Sequence, residues 1–199
     1  MKNMKLILAS KSPRRIEMLE NLGLCPEIVP ADVDENIEEF KNLPDVAVIT
    51  LAKRKALAVS EKIPDKNRII IAADTLVYKG NSLLGKPKDE NDAFSMLKTL
   101  SGNFHSVYTG FAVCCGDKLV AKSVETKVFF KKLSDEEIYS YIASKEPMDK
   151  AGAYGIQGKG ALFVSKIEGD YFNVVGLPLC ELFETIKEAF GFDIECLKD

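Results

Sequence analysis

The chain has 199 residues, 46% of them apolar, and a formal net charge of −3 with both signs interspersed along its length. That length suits one large domain or two small lobes with a real core, and the charge balance shows neither the basic excess of a nucleic-acid binder nor an acidic tail. The apolar run Leu6-Ile7-Leu8-Ala9 is too short for a signal peptide and no stretch approaches a membrane span, so a cytoplasmic protein with no nucleic-acid or membrane partner is expected.

That first apolar run reads as a buried strand. The polar turn Ser10-Lys11-Ser12 follows, and then Pro13 with Ile16, Leu19 and Leu22 three apart, which predicts a helix capped by Ser12 and stopped at Gly23. Arg14 and Arg15 fall in its first turn. Helix N-termini favour anions, so two arginines, a lysine and two hydroxyls there either gather around a phosphate or form a solvated basic loop. Residues 25–30 are extended between prolines. An acidic stretch follows, most of it a solvated face; Asp34 and Glu35, nearest the end of the extended segment, are the two that could face a site.

Residues 44–60 form the next predicted helix, with Val46, Ile49, Ala52, Ala56 and Val59 on its apolar face. Lys53, Arg54 and Lys55 are consecutive in it, so only one or two of the three can reach a common ligand. Residues 68–73 are a continuous apolar run typical of a central strand, and Asp74-Thr75 interrupt it before Leu76-Val77-Tyr78 continue. A carboxylate there is a candidate for ligand chemistry, against the plainer reading of a turn or cap aspartate. A hairpin turn at 79–82 follows, then Lys86 held extended before Pro87, and a helix over 89–100 capped by Asp89 with Ala93, Met96, Leu97 and Leu100 inward.

Two long strands, 105–115 and 118–132, are joined by Gly116-Asp117, with Val124, Thr126, Val128 and Phe130 on the buried face. His105 reads as a packed surface histidine. Ser134 and Glu137 make a capping box for a helix to about Ser144. Residues 146–160 repeat glycine among polar residues, a backbone that permits close approach to a ligand, yet contain neither the P-loop nor the dinucleotide pattern. A strand over 161–167 turns at Gly169-Asp170 into 171–175. Pro178 opens a last helix with Leu179, Leu182, Phe183, Ile186 and Phe190 inward. The five cysteines form no CxxC pair and read as buried free thiols; with His105 the sole histidine, a His-rich metal site or a Ser-His-Asp triad is not expected, while a hard metal on carboxylates stays open. The elements mix hairpins, strands and helices, which predicts a mixed α/β sheet with helices on its faces.

The ordered segments LASKSPRR, LAKRKA, ADT, GKP, HSVYTG, EPMDKAGAYGIQG and NVVGLPL resemble those of the Maf family of nucleoside triphosphate pyrophosphatases, from Leu6 to about Leu182. The resemblance implies a strongly twisted mixed sheet with flanking helices, in an elongated two-lobed architecture similar to the inosine triphosphatase superfamily, with a central cleft. It implies hydrolysis of the α–β phosphoanhydride of a nucleoside triphosphate with a divalent cation, Mg2+ or Mn2+. By motif, Asp74 would be the catalytic acid/base, Ser10, Arg14, Lys55 and Lys86 would hold phosphates, and Glu35 with Asp74 would hold the metal. Arg15, Thr75 and Gln157 match the positions that go with substrate choice in the dTTP/UTP subfamily. In the similar 7-methyl-GTP subfamily those positions differ. A homodimer fits the family, as does a cell-division regulator that binds nucleotide and acts through a partner; the latter would show exposed aromatics and apolar patches, and none is evident in the sequence.

Overall fold

The computed structural model describes residues 4–63 and 67–197. The elements are β1 (Lys5–Leu8), α1 (Pro13–Glu20), β2 (Glu27–Ile28), α2 (Pro44–Lys62), β3 (Arg68–Lys79), β4 (Ser82–Leu84), α3 (Glu90–Leu100), β5 (Phe104–Cys115), β6 (Lys118–Phe130), α4 (Asp135–Ala143), β7 (Val164–Glu168), α5 (Tyr171–Val175) and α6 (Leu179–Phe190). Seven strands make one mixed sheet in the order β2-β1-β3-β5-β6-β7, with β4 paired to β3. β1 is parallel to both β2 and β3, while β4 and β7 run antiparallel to β3 and β6. This is the mixed α/β sheet expected from the sequence.

The chain divides into two compact units. The first comprises Met1–Asp74, Thr109–Val124 and Gly176–Asp199, the second Thr75–Tyr108 and Glu125–Val175. In the first unit, the apolar run of β3 pairs along its edge with β1, and α2 packs on one of its faces. Ile70 and Ala72 pack with Ile7, Ala9, Ala52, Ala56, Val59, Ala112 and Cys114. Each of the larger of these side chains contributes roughly 1.5–3 kcal/mol by leaving water. The small residues let α2 lie close to the sheet. The limit is reached at Gly110 in β5, where a Cβ would stand 2.4 Å from the backbone carbonyl of Val48.

The second unit is built around aromatic side chains. His105, Phe130 and Tyr154 meet edge to face with centroids 4.8–5.2 Å apart, and Tyr141 meets Phe163 at 4.9 Å. Asn173, fully buried, donates from its amide nitrogen to the Val107 carbonyl and to Thr126 Oγ1. The β3–β4 hairpin turns at Gly80, with φ of 57°.

Several expectations need correction. Ser12 precedes α1, but its side chain makes no capping bond; its carbonyl instead accepts from Arg15 and Ile16 N–H. On α2 the buried face is set by Ala47, Val48 and Leu51 with Ala52, Ala56 and Val59, and Val46 is exposed. Residues 161–163 belong to a 3-10 turn (Lys159–Phe163), so β7 starts only at Val164. His105 is a core residue, 1% exposed. All five cysteines are free, but only Cys114 and Cys196 are buried, while Cys25 and Cys180 are exposed. Large apolar side chains do reach the surface, Leu162, Tyr139 and Phe104 among them. The capping box at Ser134 and the Asp89 cap are present as predicted. No helix among the described residues is long and apolar enough to cross a membrane.

Candidate active site

Asp74 stands inside β3, just beyond the stretch that pairs with β1, whose register ends at Leu8 opposite Ile71. Side chains alternate along a strand, so Asp74 continues the face of Ile70 and Ala72, the face that α2 covers. Lys55, on α2 beside Ala52 and Ala56, therefore meets it: Lys55 Nζ donates to Asp74 Oδ1 at 2.5 Å. Both side chains are largely withdrawn from solvent, 13% and 14% exposed, so this pair is screened far less than a surface ion pair. The same ammonium reaches Glu35 Oε1 at 2.7 Å. One cation thus gathers two carboxylates that would otherwise repel.

Arg54, the residue before Lys55, does something else. Its Nη1 donates to the carbonyls of Asp34 (3.0 Å) and Asn36 (2.8 Å), the two residues flanking Glu35. The same residues, with Glu38 and Glu39, line a surface pocket of about 490 Å³. Lys53 is exposed. The helical geometry that kept three successive cations from sharing one ligand is borne out.

Arg15 leaves the surface entirely. Its Nε donates to the Gly176 carbonyl at 2.7 Å, and Nη1 to the Ala73 carbonyl at 2.9 Å and to Ser10 Oγ at 3.2 Å. Burial pulls the guanidinium below its ordinary value; the charge of Asp74 counters this, Arg14 adds to it and Glu35 opposes it. An arginine so placed ties the β1–α1 loop, the residue before Asp74 and the segment before α6 into one frame. Ser10 also takes the backbone N–H of Ser12 on its hydroxyl. Arg14 is half-buried and makes no hydrogen bond or ion pair among the described residues. The structure therefore brings Ser10, Arg15, Glu35, Lys55 and Asp74 into one connected group in the first unit.

Thr75, Lys86 and Gln157 belong to the second unit. Lys86 and Gln157 are exposed. Gln157 lies in a loop closed on a feature that sequence reasoning did not weigh, the Glu146 side chain. Glu146 Oε2 accepts from Lys159 N–H (3.0 Å), and Oε1 accepts from Gly160 N–H (3.3 Å) and from the Tyr141 hydroxyl (3.0 Å). The available signal was its place as the first residue of the glycine-rich stretch.

Glu35 and Asp74 supply hard oxygen donors, and no group of three or more His, Cys, Asp or Glu side chains suited to a metal occurs among the described residues. That donor set fits a Mg2+-type ion, which takes one or two carboxylates and completes its shell with water and phosphate oxygens, better than a closed protein cage.

An α/β sheet with an interrupting carboxylate on a central strand, paired to a lysine and set near arginines at a strand–loop–helix corner, defines the class: a protein equipped to handle a polyphosphate. A family model described as Maf-like protein matches residues 5–189, and the chain belongs to the Maf family. It is similar to proteins described as dTTP/UTP pyrophosphatase from several bacteria. The identity is 52% over 192 residues with that of Alkaliphilus oremlandii (strain OhILAs), covering 96% of this chain and 98% of the relative. It is 51% over 191 residues with that of Thermoanaerobacter sp. (strain X514), covering 94% and 97%, and 50% over 190 residues with that of Bacillus cereus (strain ATCC 10987 / NRS 248), covering 96% and 92%.

Proposed function

We propose that the chain is a nucleoside triphosphate pyrophosphatase acting on dTTP and UTP, cleaving between the α and β phosphates to give the monophosphate and pyrophosphate. The substrate rests on near-full-length similarity to relatives of that name. The observation that carries the chemistry is the Lys55 ammonium bonded to both Asp74 and Glu35. Asp74 hydrogen-bonds the attacking water and accepts its proton as the water oxygen bonds to the α phosphorus and the α–β bridging bond breaks, the electron pair leaving with pyrophosphate. With its Oδ1 already bonded to the Lys55 ammonium, orientation of the water is the larger part of its role. Glu35 and Asp74 hold the divalent cation, which when bound offsets charge on the phosphate oxygens.

Lys55 keeps the two carboxylates together and, with Arg14, Ser10 and Lys86, balances the negative phosphates. Arginine's planar fork suits their oxygens. Arg15 acts on substrate choice through the frame it braces, which sets Ser10 and the backbone before Asp74. Thr75 and Gln157 complete the choice of base. The Gln157 amide offers an NH2 donor and a carbonyl acceptor, which in one orientation match the 4-oxo and N3–H edge of uracil or thymine; cytosine presents the reverse pattern and leaves an amide held in that orientation unpaired. The protein works in the cytoplasm, and a homodimer is its assembly.

The test is product analysis on a panel of nucleoside triphosphates with Mg2+, wild type beside Asp74→Asn. Monophosphate and pyrophosphate from dTTP and UTP are expected, with the variant slower by about 10²–10⁴-fold. Orthophosphate as the product would place the cleavage at the γ position and refute the reading.

A further inference from the structure

Gln157 is exposed at the tip of a loop that lacks regular structure, yet a base-reading amide must be held to a fraction of an ångström. A Cβ on Gly158 would stand 2.4 Å from Glu146 Oε1, and one on Gly155 would stand 2.8 Å from the Lys150 side chain. The loop is drawn close against the Glu146 and Lys150 side chains, and at Gly160 a Cβ would meet backbone, the Gly155 carbonyl oxygen at 2.7 Å.

The contacts bracket Gln157 on both sides. After it in sequence, the Lys159 and Gly160 N–H groups donate to the Glu146 carboxylate. Before it, Gly155 N–H donates to the Tyr141 hydroxyl at 3.1 Å, and that hydroxyl donates to Glu146 Oε1. Glu146 is itself fixed, since Lys150 Nζ donates to its backbone carbonyl at 2.7 Å and to Asp149 at 2.7 Å. Burial alone pushes the Glu146 carboxyl up. The Lys159 and Gly160 N–H groups, the Tyr141 hydroxyl and the charge of Lys150 outweigh it and hold the group below the usual carboxylate range. It is a carboxylate at neutral pH, and charge-assisted bonds to backbone N–H are the strong kind.

We infer that Glu146 is a positioning residue for substrate choice: its carboxylate, with the Tyr141 hydroxyl, clamps the backbone on either side of Gln157 and so fixes where that amide meets the base. The inference deepens the reading of Gln157 given above and rests on it. Glu146 touches no substrate in this scheme, so its removal should act on base discrimination rather than on the bond-breaking step.

The experiment compares full-length wild type, Glu146→Gln, Tyr141→Phe and Gln157→Ala. Two quantities are read: hydrogen exchange at the amides of Gly155, Lys159 and Gly160, and kcat and KM for dTTP and CTP with Mg2+. In Glu146→Gln, exchange at Lys159 and Gly160 is expected to quicken by about tenfold or more. The dTTP-to-CTP ratio of kcat/KM falls by about tenfold, through a higher KM for dTTP with kcat for dTTP held within about threefold. Tyr141→Phe, which leaves the carboxylate in place, gives the same pattern at reduced size, with the exchange change centred on Gly155, and serves if the first variant folds poorly. Unchanged exchange in both variants overturns the clamp. If exchange quickens and Gln157→Ala abolishes the ratio while Glu146→Gln preserves it, the positioning role falls and the reading of Gln157 stands. If Gln157→Ala itself preserves the ratio, that reading falls and the inference with it.

Discussion

Arg54 and Lys55 are sequence neighbours of like charge whose side chains end in different places. Lys55 has a single point of charge, and it goes to the two carboxylates. Arg54 presents a planar fork, and one nitrogen of it bridges the carbonyls on either side of Glu35. The loop carrying Glu35 has no strand or helix of its own around that residue, and Glu35 is 65% exposed at its side chain. Lys55 at the carboxylate and Arg54 at the backbone are two restraints on its orientation. Arg54→Ala removes the second restraint and leaves every proposed ligand in place. The Mg2+ concentration for half-maximal turnover should rise by about tenfold, with kcat at saturating Mg2+ near wild type. A Mn2+ titration followed by electron paramagnetic resonance reads the same loss without turnover. An unchanged Mn2+ affinity would show that Arg54 does not set the orientation of Glu35.

At the scale of elements, the close approach of α2 to β5 is what puts Lys55 over its face of the sheet. Gly110 permits it, because the atoms a Cβ would meet are the carbonyl carbon and oxygen of Val48, both at 2.4 Å, and the nitrogen of Ile49 at 2.7 Å. These are backbone atoms of a helix and cannot rotate away. Gly110→Ala should destabilise by about 1–3 kcal/mol, a fall in melting temperature of about 2–12 °C in a thermal unfolding scan. Gly85→Ala is the control, since nothing lies within 4 Å of a Cβ there. The elements themselves were legible in the sequence. Proline or a capping side chain opens α2, α3 and α4, and apolar spacing marks the inner face of α3 and the later part of that of α2, because both are local signals. The buried run before Asp74 was legible for the same reason. What the sequence hid is long-range. Arg15 looks like a solvent-facing arginine at a helix start until the Gly176 carbonyl, 161 residues away, is seen to take its Nε–H. Glu146 looks like one more surface acid until the loop folds onto it. His105 was misread because a strand's alternation shows which residues share a face, not how thick the cover over that face is.

His105 also sets a property of the whole molecule, its response to acid. It is the only histidine in the chain. Burial, and then the charge of Lys79, lower its folded-state value from 6.5 to about 4. Its Nε2 shares a 2.8 Å hydrogen bond with the Tyr154 hydroxyl, and Nδ1 is buried without a partner among the described residues. The folded protein therefore holds a neutral ring where the unfolded chain holds a proton below about pH 6.5. The unfolded state binds more protons in that window, so stability is fully present above it and falls as the pH drops from about 6.5 to about 4. A shift of that size predicts a loss of about 2 kcal/mol between pH 7 and pH 5. Glu146, held below the ordinary carboxylate range, contributes stability that is lost as the pH falls through and below that range, at the acid end of the His105 window and beyond it. Urea unfolding at a series of pH values reads the slope. In His105→Phe the ring shape is kept and the titration removed; the variant starts less stable for want of the Tyr154 bond but shows a flat profile from pH 7 to pH 5. Because there is a single histidine, its ring proton resonance can be followed directly. A midpoint near 6.5 in the folded protein would mean that the ring is solvated and that the acid response originates elsewhere.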